Sequence, residues 1–321
     1  MPAVDMSLEK LKVYNGKNPR PADFDEFWES ALAEMRATDP KVEIIPANIP
    51  SKVVNFYDMY FTGTKGARIH AKLVKPKSLA GKAPAVLKFH GLSGNAGSFT
   101  ELVRFAAEGF IVASMDCRGQ GGCSEDMGQP HGTTHTTQFV RGLDGDPQDL
   151  HYRDVFLDTA MLARIVMDMD DVDETRVAAR GGSQGGALTI ACAALEPRIA
   201  LALPVYPYLS DYKRVWEMDL AKGAYEGLRY YFRHFDPRHE REDEIFEKLG
   251  YIDIQFLAPR IKAKVVMATG LMDTTCPPST QFAAFNKITS EKEVLVYPDF
   301  GHESLEGHSD LEAKYLFELL A

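Results

Sequence analysis

The chain has 321 residues, 45% hydrophobic and 26% charged, the balance of a water-soluble globule with enough apolar mass for a sizeable core, so wholesale disorder is excluded. Lys plus Arg number 36 and Asp plus Glu 46, a net charge of −10 that repels polyanions and speaks against nucleic-acid binding. Four cysteines, Cys117, Cys123, Cys192 and Cys276, are too few for a disulfide scaffold and include no C-x-x-C pair, so free thiols are expected.

The first eleven residues carry Asp5, Glu9 and Lys10 without an apolar leader segment, and no later run reaches the ~18 apolar residues of a membrane span, so a cytoplasmic protein is expected. An amphipathic helix follows, with Asp23 as N-cap and Phe24, Phe27, Trp28, Leu32 and Met35 at helical spacing. Over 52–75 the period changes to two (Val53, Asn55, Tyr57, Met59, Phe61, then Ile69, Ala71, Leu73) around a Gly-containing turn at 62–66, which predicts an antiparallel hairpin. Short apolar runs then recur at 85–89, 110–115, 177–179, 199–203, 264–268 and 294–297, with helical segments at 99–108, 152–168 and 184–195 between them. Strands alternating with helices require crossovers and hence a mostly parallel sheet flanked by helices.

The rhythm breaks between Leu203 and Lys262, where aromatic residues including Tyr206, Tyr208, Tyr212, Trp216, Tyr225 and Phe246 crowd a segment too long for a simple connection. A helical insertion over about 206–260 is expected; its aromatic residues could cap a pocket, meet another subunit or pack an ordinary core. The acidic run 236–247 reads as the solvated face of an amphipathic helix holding Ile245 and Phe246.

Gly181-Gly182-Ser183-Gln184-Gly185-Gly186 follows the strand at 177–179 and opens the helix at 184–195. This is the context of a nucleophile elbow: a strained turn exposes the serine hydroxyl, and glycines on either side admit neighbouring backbone. The Gln184 amide, at the helix N-terminus, would face a developing oxyanion. A serine needs a base to take its proton and a carboxylate to orient that base. On a sheet of this kind the order is serine, acid, histidine, each after a strand. The strand at 264–268 runs into Asp273 and the strand at 294–297 into His302, which makes these the partners of Ser183. His308 lies too far on, Asp299 too near His302, and Asp211 one strand early. The second oxyanion donor belongs in the loop after 85–89, His90-Gly91-Leu92-Ser93, at the Leu92 amide, while His90 reads as a structural histidine.

Arg118-Gly119-Gln120 lacks the Gly-Lys-Ser/Thr of a phosphate loop and reads as a turn bracing neighbouring loops. His131 and His135 sit in a Gly/Thr-rich loop rather than on one helical face, so neither a metal nor any other cofactor is expected.

Arg118-Gly119-Gln120, Gly181-x-Ser183-Gln184-Gly185 and His302-Glu303 together resemble carbohydrate esterase family seven, the acetyl xylan esterases and cephalosporin C deacetylases. The likeness extends to Asn18-Pro19-Arg20-Pro21, Asp23 to Trp28, and the stretch from Leu257 through Asp273 to Thr280, so it spans essentially the whole chain. The resemblance implies one α/β-hydrolase domain over 1–321, with an extension over 1–50, a triad at Ser183, Asp273 and His302, and oxyanion donors at Gln184 and Leu92. It implies no cofactor, a homo-oligomer (a hexamer, as a trimer of dimers), and hydrolysis of small O-acetyl esters such as acetylated xylo-oligosaccharides and cephalosporin C through an acetyl-enzyme. Two positions depart from the family pattern: Leu92 stands where tyrosine is common, and Thr275 where an aliphatic residue is, and both are expected to line the acyl pocket. The alternatives are a thioesterase or peptidase on the same fold, or a non-catalytic binding protein.

Overall fold

A computed structural model of the chain describes residues 4–128 and 135–320. Its strands are β1 (Glu43–Pro46), β2 (Val54–Thr62), β3 (Arg68–Pro76), β4 (Ala83–Phe89), β5 (Ile111–Met115), β6 (Val172–Gly182), β7 (Leu201–Val205), β8 (Lys264–Gly270) and β9 (Lys292–Tyr297). They form one sheet in the order β1-β2-β3-β5-β4-β6-β7-β8-β9. The pairs from β1 to β5 through β3 are antiparallel, and those from β5 through β4 to β9 are parallel. This is the α/β-hydrolase architecture. The predicted hairpin is β2 and β3, and each predicted strand and helix is present with ends shifted by a few residues; β6, expected as three residues, runs from Val172 to Gly182. β1 escapes sequence reading because all four of its residues are exposed, so it has no buried face to set a period.

The two faces of the sheet follow from the alternation of side chains along a strand. Ala85, Leu87 and Phe89 of β4, Ile111, Ala113 and Met115 of β5, and Val265 and Met267 of β8 point into the larger core. Val86, Val112 and Val266, between them, point into the smaller one, covered by Leu102, Phe105 and Ala106 and by Leu316. Helix Gln184–Leu195 is buried along its entire length, as an apolar helix lying between the sheet and a second helix must be.

Helix Phe24–Ala37 begins where expected, but the Asp23 side chain does not cap it. The Asp23 carboxylate accepts from the Tyr251 hydroxyl instead. The same helix sends Trp28 Nε1 to the Tyr251 carbonyl at 3.0 Å and packs Phe24 edge-on against Phe256 at 5.9 Å. Just before it, Tyr14 Oη and the Lys17 and Asn18 amides all donate to the Asp211 carboxylate at 2.8 Å. Asp211, a rival acid by sequence, is therefore an anchor for the N-terminal segment. In the insertion Tyr208, Tyr212, Tyr225, Phe232 and Phe246 are buried in the main core, so core packing accounts for most of its aromatic residues. Asp236, in the acidic run, is buried and accepts the Glu240 and Arg241 amides, while Ile245 and Phe246 form the apolar face of helix Glu242–Gly250.

Helix His151–Met167 starts in a buried charged layer. His151 is buried, and burial, aided by the Arg141 guanidinium, lowers its pKa from the ordinary 6.5 to about 3. The folded protein holds this ring neutral, whereas an unfolded chain takes up a proton below its ordinary value. Stability is therefore lost as pH falls from 6.5 toward 3, at up to about 1.4 kcal/mol per pH unit. His151→Gln should lose stability less steeply than the wild type over this acid range, as read by urea unfolding at a series of pH values.

Candidate active site

Strand pairing places the site. β4 lies between β5 and β6, so the chain order reverses there, and a parallel sheet opens a crevice at the carboxyl ends of strands at such a point. Phe89 pairs with Gly181, so the loop after β4 and the turn after β6 leave the sheet side by side. A Cβ at Gly185 would stand 2.2 Å from the Phe89 carbonyl oxygen, and one at Gly181 would stand 2.6 Å from it. Only glycine allows this approach.

Between those glycines Ser183 has φ 58° and ψ −119°, a conformation that costs a non-glycine residue about 1–3 kcal/mol and persists only where surroundings impose it. The Ser183 amide donates to the Val205 carbonyl at 2.9 Å, and its carbonyl accepts the Tyr208 amide at 3.0 Å. The turn is thus tied to β7 and to the segment after it. The first residue of the helix, Gln184, has no carbonyl a turn earlier to receive its amide. Leu92 is half-buried, and its amide makes no hydrogen bond with the described residues.

The structure brings Ser183, Asp273 and His302 together. His302 Nε2 lies 2.9 Å from Ser183 Oγ, and His302 Nδ1 lies 2.8 Å from Asp273 Oδ2. A carboxylate only accepts, which puts the ring proton on Nδ1 and leaves Nε2 to receive the serine hydroxyl. Asp273 is fully buried, and its other oxygen accepts the Thr275 and Cys276 amides at 2.8 Å. Thr275 therefore contributes a backbone donor that orients the acid, a role its side chain does not reveal. The Cys276 thiol is buried, and burial with the nearby Asp273 charge pushes its pKa well up, so it stays protonated. His308, at the start of helix His308–Phe317, bonds with Tyr297 at 3.4 Å, and among the described residues neither it nor Asp299 makes a hydrogen bond to Ser183 or His302.

A second layer holds the two candidate oxyanion residues. Arg118 is buried and grips Asp158 with two hydrogen bonds of 2.7 and 2.6 Å, locking the loop after β5 to helix His151–Met167. From that loop Gln120 accepts the Ser93 amide at 2.9 Å and donates to Gln184 Oε1 at 2.7 Å. Tyr152 also donates to Gln184 Oε1, at 2.6 Å. Gln120 therefore ties the residue after Leu92 to the residue after Ser183, a bracing more specific than the sequence suggested. His90 is structural: the Cys117 amide donates to its Nε2 at 3.0 Å, and its Nδ1 donates to the Gly91 carbonyl at 2.7 Å. Tyr206 was legible only as one aromatic of the insertion. It follows β7 directly and packs its ring on the His302 imidazole, 4.5 Å between centroids.

A cavity of about 200 Å³ lies against the elbow, lined by Gly181, Gly182, Tyr206 and Leu305 among others. Neither this cavity nor those of about 310 and 260 Å³ are lined by Ser183, Asp273 or His302, so cavity size does not find this site. Among the described residues, His70, Asp116 and Cys123 hold potential metal-ligand atoms within 4.8 Å of one another. Both nitrogens of His70 are already engaged, with Asp116 at 2.6 Å and Asp58 at 2.9 Å. Burial opposes a charge on this ring, but the two carboxylates prevail and raise its pKa, so the group is a closed ion network rather than an open ligand set. His131 lies outside the described residues, and His135 packs its ring on Tyr230 with Nδ1 3.1 Å from Thr137 Oγ1. No helix among the described residues is long and apolar enough to cross a membrane.

A family model described as acetyl xylan esterase (AXE1) matches residues 1–319. Among solved structures, acetyl xylan esterase 1 from Thermoanaerobacterium sp. JW/SL YS485 is 54% identical with a TM-score of 0.97, covering 99% of this chain and 100% of that one. The acetyl xylan esterase from Paenibacillus sp. R4 is 36% identical with a TM-score of 0.93, covering 98% and 99%. Acetyl esterase Axe7A of Xylanibacter ruminicola is 31% identical over 308 residues, 92% of this chain, which spans 66% of that relative's length.

The geometry around Asp273 generates a test. In Asp273→Asn the amide oxygen would take the Thr275 and Cys276 hydrogen bonds, turning the NH2 group toward His302 Nδ1 and forcing the proton onto Nε2. The ring could then no longer accept from Ser183, and kcat on an acetyl ester should fall about 10⁴-fold with the fold intact, as read by steady-state rates alongside circular dichroism.

Proposed function

This chain belongs to the acetyl xylan esterase family, a group of carboxylic ester hydrolases, and we propose that it removes acetyl groups from small O-acetyl esters, acetylated xylo-oligosaccharides foremost and cephalosporin C as a second substrate. The observation that carries the reading is the hydrogen-bonded row Ser183, His302, Asp273. Ser183 Oγ attacks the acetyl carbonyl as its proton passes to His302 Nε2. The imidazolium so formed is held by Asp273 and faced by the Tyr206 ring, and the Gln184 and Leu92 amides receive the oxyanion. His302 returns the proton to the leaving alcohol, which departs with the broken ester bond and leaves an acetyl-serine. Water, deprotonated by His302, hydrolyses that intermediate and regenerates the hydroxyl. Leu92 and Thr275 are the proposed lining of the acyl pocket.

The reading includes a homo-oligomer. Val42, Ile44, Ile45, Ile49 and Val53 are exposed on and around the edge strand β1, and an apolar strand edge is a surface that proteins ordinarily cover. A second copy of the chain is the proposed cover, in keeping with a hexamer.

Ser183→Ala should lower turnover of nitrophenyl acetate and of acetylated xylobiose by about 10⁴-fold or more. In the wild type, kcat/KM should fall from acetyl through propionyl to butyryl esters. Near wild-type rates in the variant would overturn the mechanism, and a preference for butyryl would overturn the acyl selectivity.

A further inference from the structure

Helix Pro278–Lys287 begins two residues after Cys276, whose amide orients Asp273. Its Gln281 is fully buried and turns back onto that acid. Gln281 Nε2 donates to the Cys276 carbonyl at 2.6 Å and stands 3.5 Å from Asp273 Oδ2, the oxygen that faces His302. A side-chain amide nitrogen carries two hydrogens, so one is held by the carbonyl and the other is left for the carboxylate.

The Gln281 amide has one workable orientation. Turned over, its oxygen would face the Cys276 carbonyl, acceptor against acceptor. In the orientation adopted, Oε1 is buried with no hydrogen-bond partner among the described residues. One short bond made and one buried acceptor stranded leave little net stability. A local rule broken where a side chain touches a catalytic group points to a functional demand there.

The helix carrying Gln281 is itself held from outside. Its N-cap, Pro277, supplies no side-chain cap, and the first amides of a helix have no carbonyl within it to receive them. The Asp5 carboxylate, only 1% exposed, takes one of them from 274 residues away: Oδ2 accepts the Ser279 amide at 2.8 Å, and Oδ1 accepts Arg214 Nη2 at 2.7 Å. Arg214 Nε donates to the Ser279 hydroxyl at 3.2 Å. At the helix's other end Asn286 Nδ2 donates to the Leu11 and Tyr14 carbonyls at 2.9 and 2.7 Å. The N-terminal segment thus clamps both ends of the helix that presents Gln281 to the acid.

We propose that Gln281 is a positioning residue for Asp273. Its second N–H fixes the plane of the carboxylate so that Oδ2 keeps its line to His302 Nδ1, and Asp5 sets the helix from which it does so. The inference rests on the triad reading and extends it by two residues.

The test is steady-state hydrolysis of nitrophenyl acetate, with rates expressed per folded molecule from circular dichroism. Gln281→Met keeps the side-chain length and loses the N–H. Its kcat should fall about tenfold, since a small misplacement of a catalytic group costs up to about a hundredfold, with KM within about twofold of wild type. An Asp273→Ala background leaves no carboxylate to hold, so adding Gln281→Met there should cost nothing further; a merely structural role would cost the same in both backgrounds. Asp5→Ala should lower kcat in the same direction, and Asp5→Asn, whose amide oxygen still accepts the Ser279 N–H, should lose less. An unchanged kcat in Gln281→Met, or a full further loss in the Asp273→Ala background, would overturn the proposal. Where Gln281→Met does not fold, Asp5→Ala decides, and a wild-type kcat there overturns it. Hydrolysis surviving in Ser183→Ala would sink the triad reading itself, whereas an inactive Ser183→Ala beside a fully active Gln281→Met would sink this inference alone.

Discussion

Everything at the candidate active site depends on how closely β4 can approach β6. Two neighbouring strands carry the loop with Leu92 and the turn with Ser183, and the distance between those loops is limited by what stands between the strand ends. At Gly181 and Gly185 nothing does. Any side chain there would meet the Phe89 carbonyl, push the turn away, and separate the two amides from each other. The strained backbone of Ser183 is held by the same contact together with its hydrogen bonds to Val205 and Tyr208. Strain at one residue is thus supported by ordinary strand pairing on both sides of it.

A second requirement is that the acid keep its direction. Asp273 is fully buried, and one of its oxygens is occupied by the two amides that follow it. The remaining oxygen points toward His302 Nδ1 at 2.8 Å, with Gln281 Nε2 beside it at 3.5 Å. The carboxylate owes its aim to a tight local turn, whereas the imidazole owes its position to Asp273, Ser183 and the Tyr206 ring, which come from three separate stretches. On the opposite side, Arg118 and Gln120 do for Gln184 and the Leu92 loop what the amides do for Asp273. The electrostatic parts are fixed before any substrate arrives, which is the condition under which dipoles contribute most to a developing charge.

The legible part of this structure was the part written in local pattern. Period-two alternation, glycines at fixed offsets and the order serine, acid, histidine placed Ser183, Asp273 and His302 at strand ends without any long-range information. Contacts that depend on which surfaces meet were not legible. Asp23 has the chemistry of a cap, yet its carboxylate is drawn to a tyrosine 228 residues away. Asp211 has the look of a catalytic acid and serves as an anchor. Tyr206 was one of a dozen aromatic residues until β7 placed it over the imidazole, and β1 has no buried side to betray it. Thr275 was read by its side chain, although its amide makes the observed contact with Asp273.

The N-terminal segment closes onto groups that lie far along the chain: Tyr14 onto Asp211, 197 residues later, and Trp28 onto Tyr251, 223 residues later. During synthesis at about 5–20 residues per second, Trp28 must wait roughly 10–45 s for its partner to emerge. Through that interval Phe24, Trp28 and Leu32 display an apolar stripe with nothing to cover it. The final docking of this segment is consequently a late event on the ribosome, and the nascent chain offers chaperones a handle that the finished protein hides.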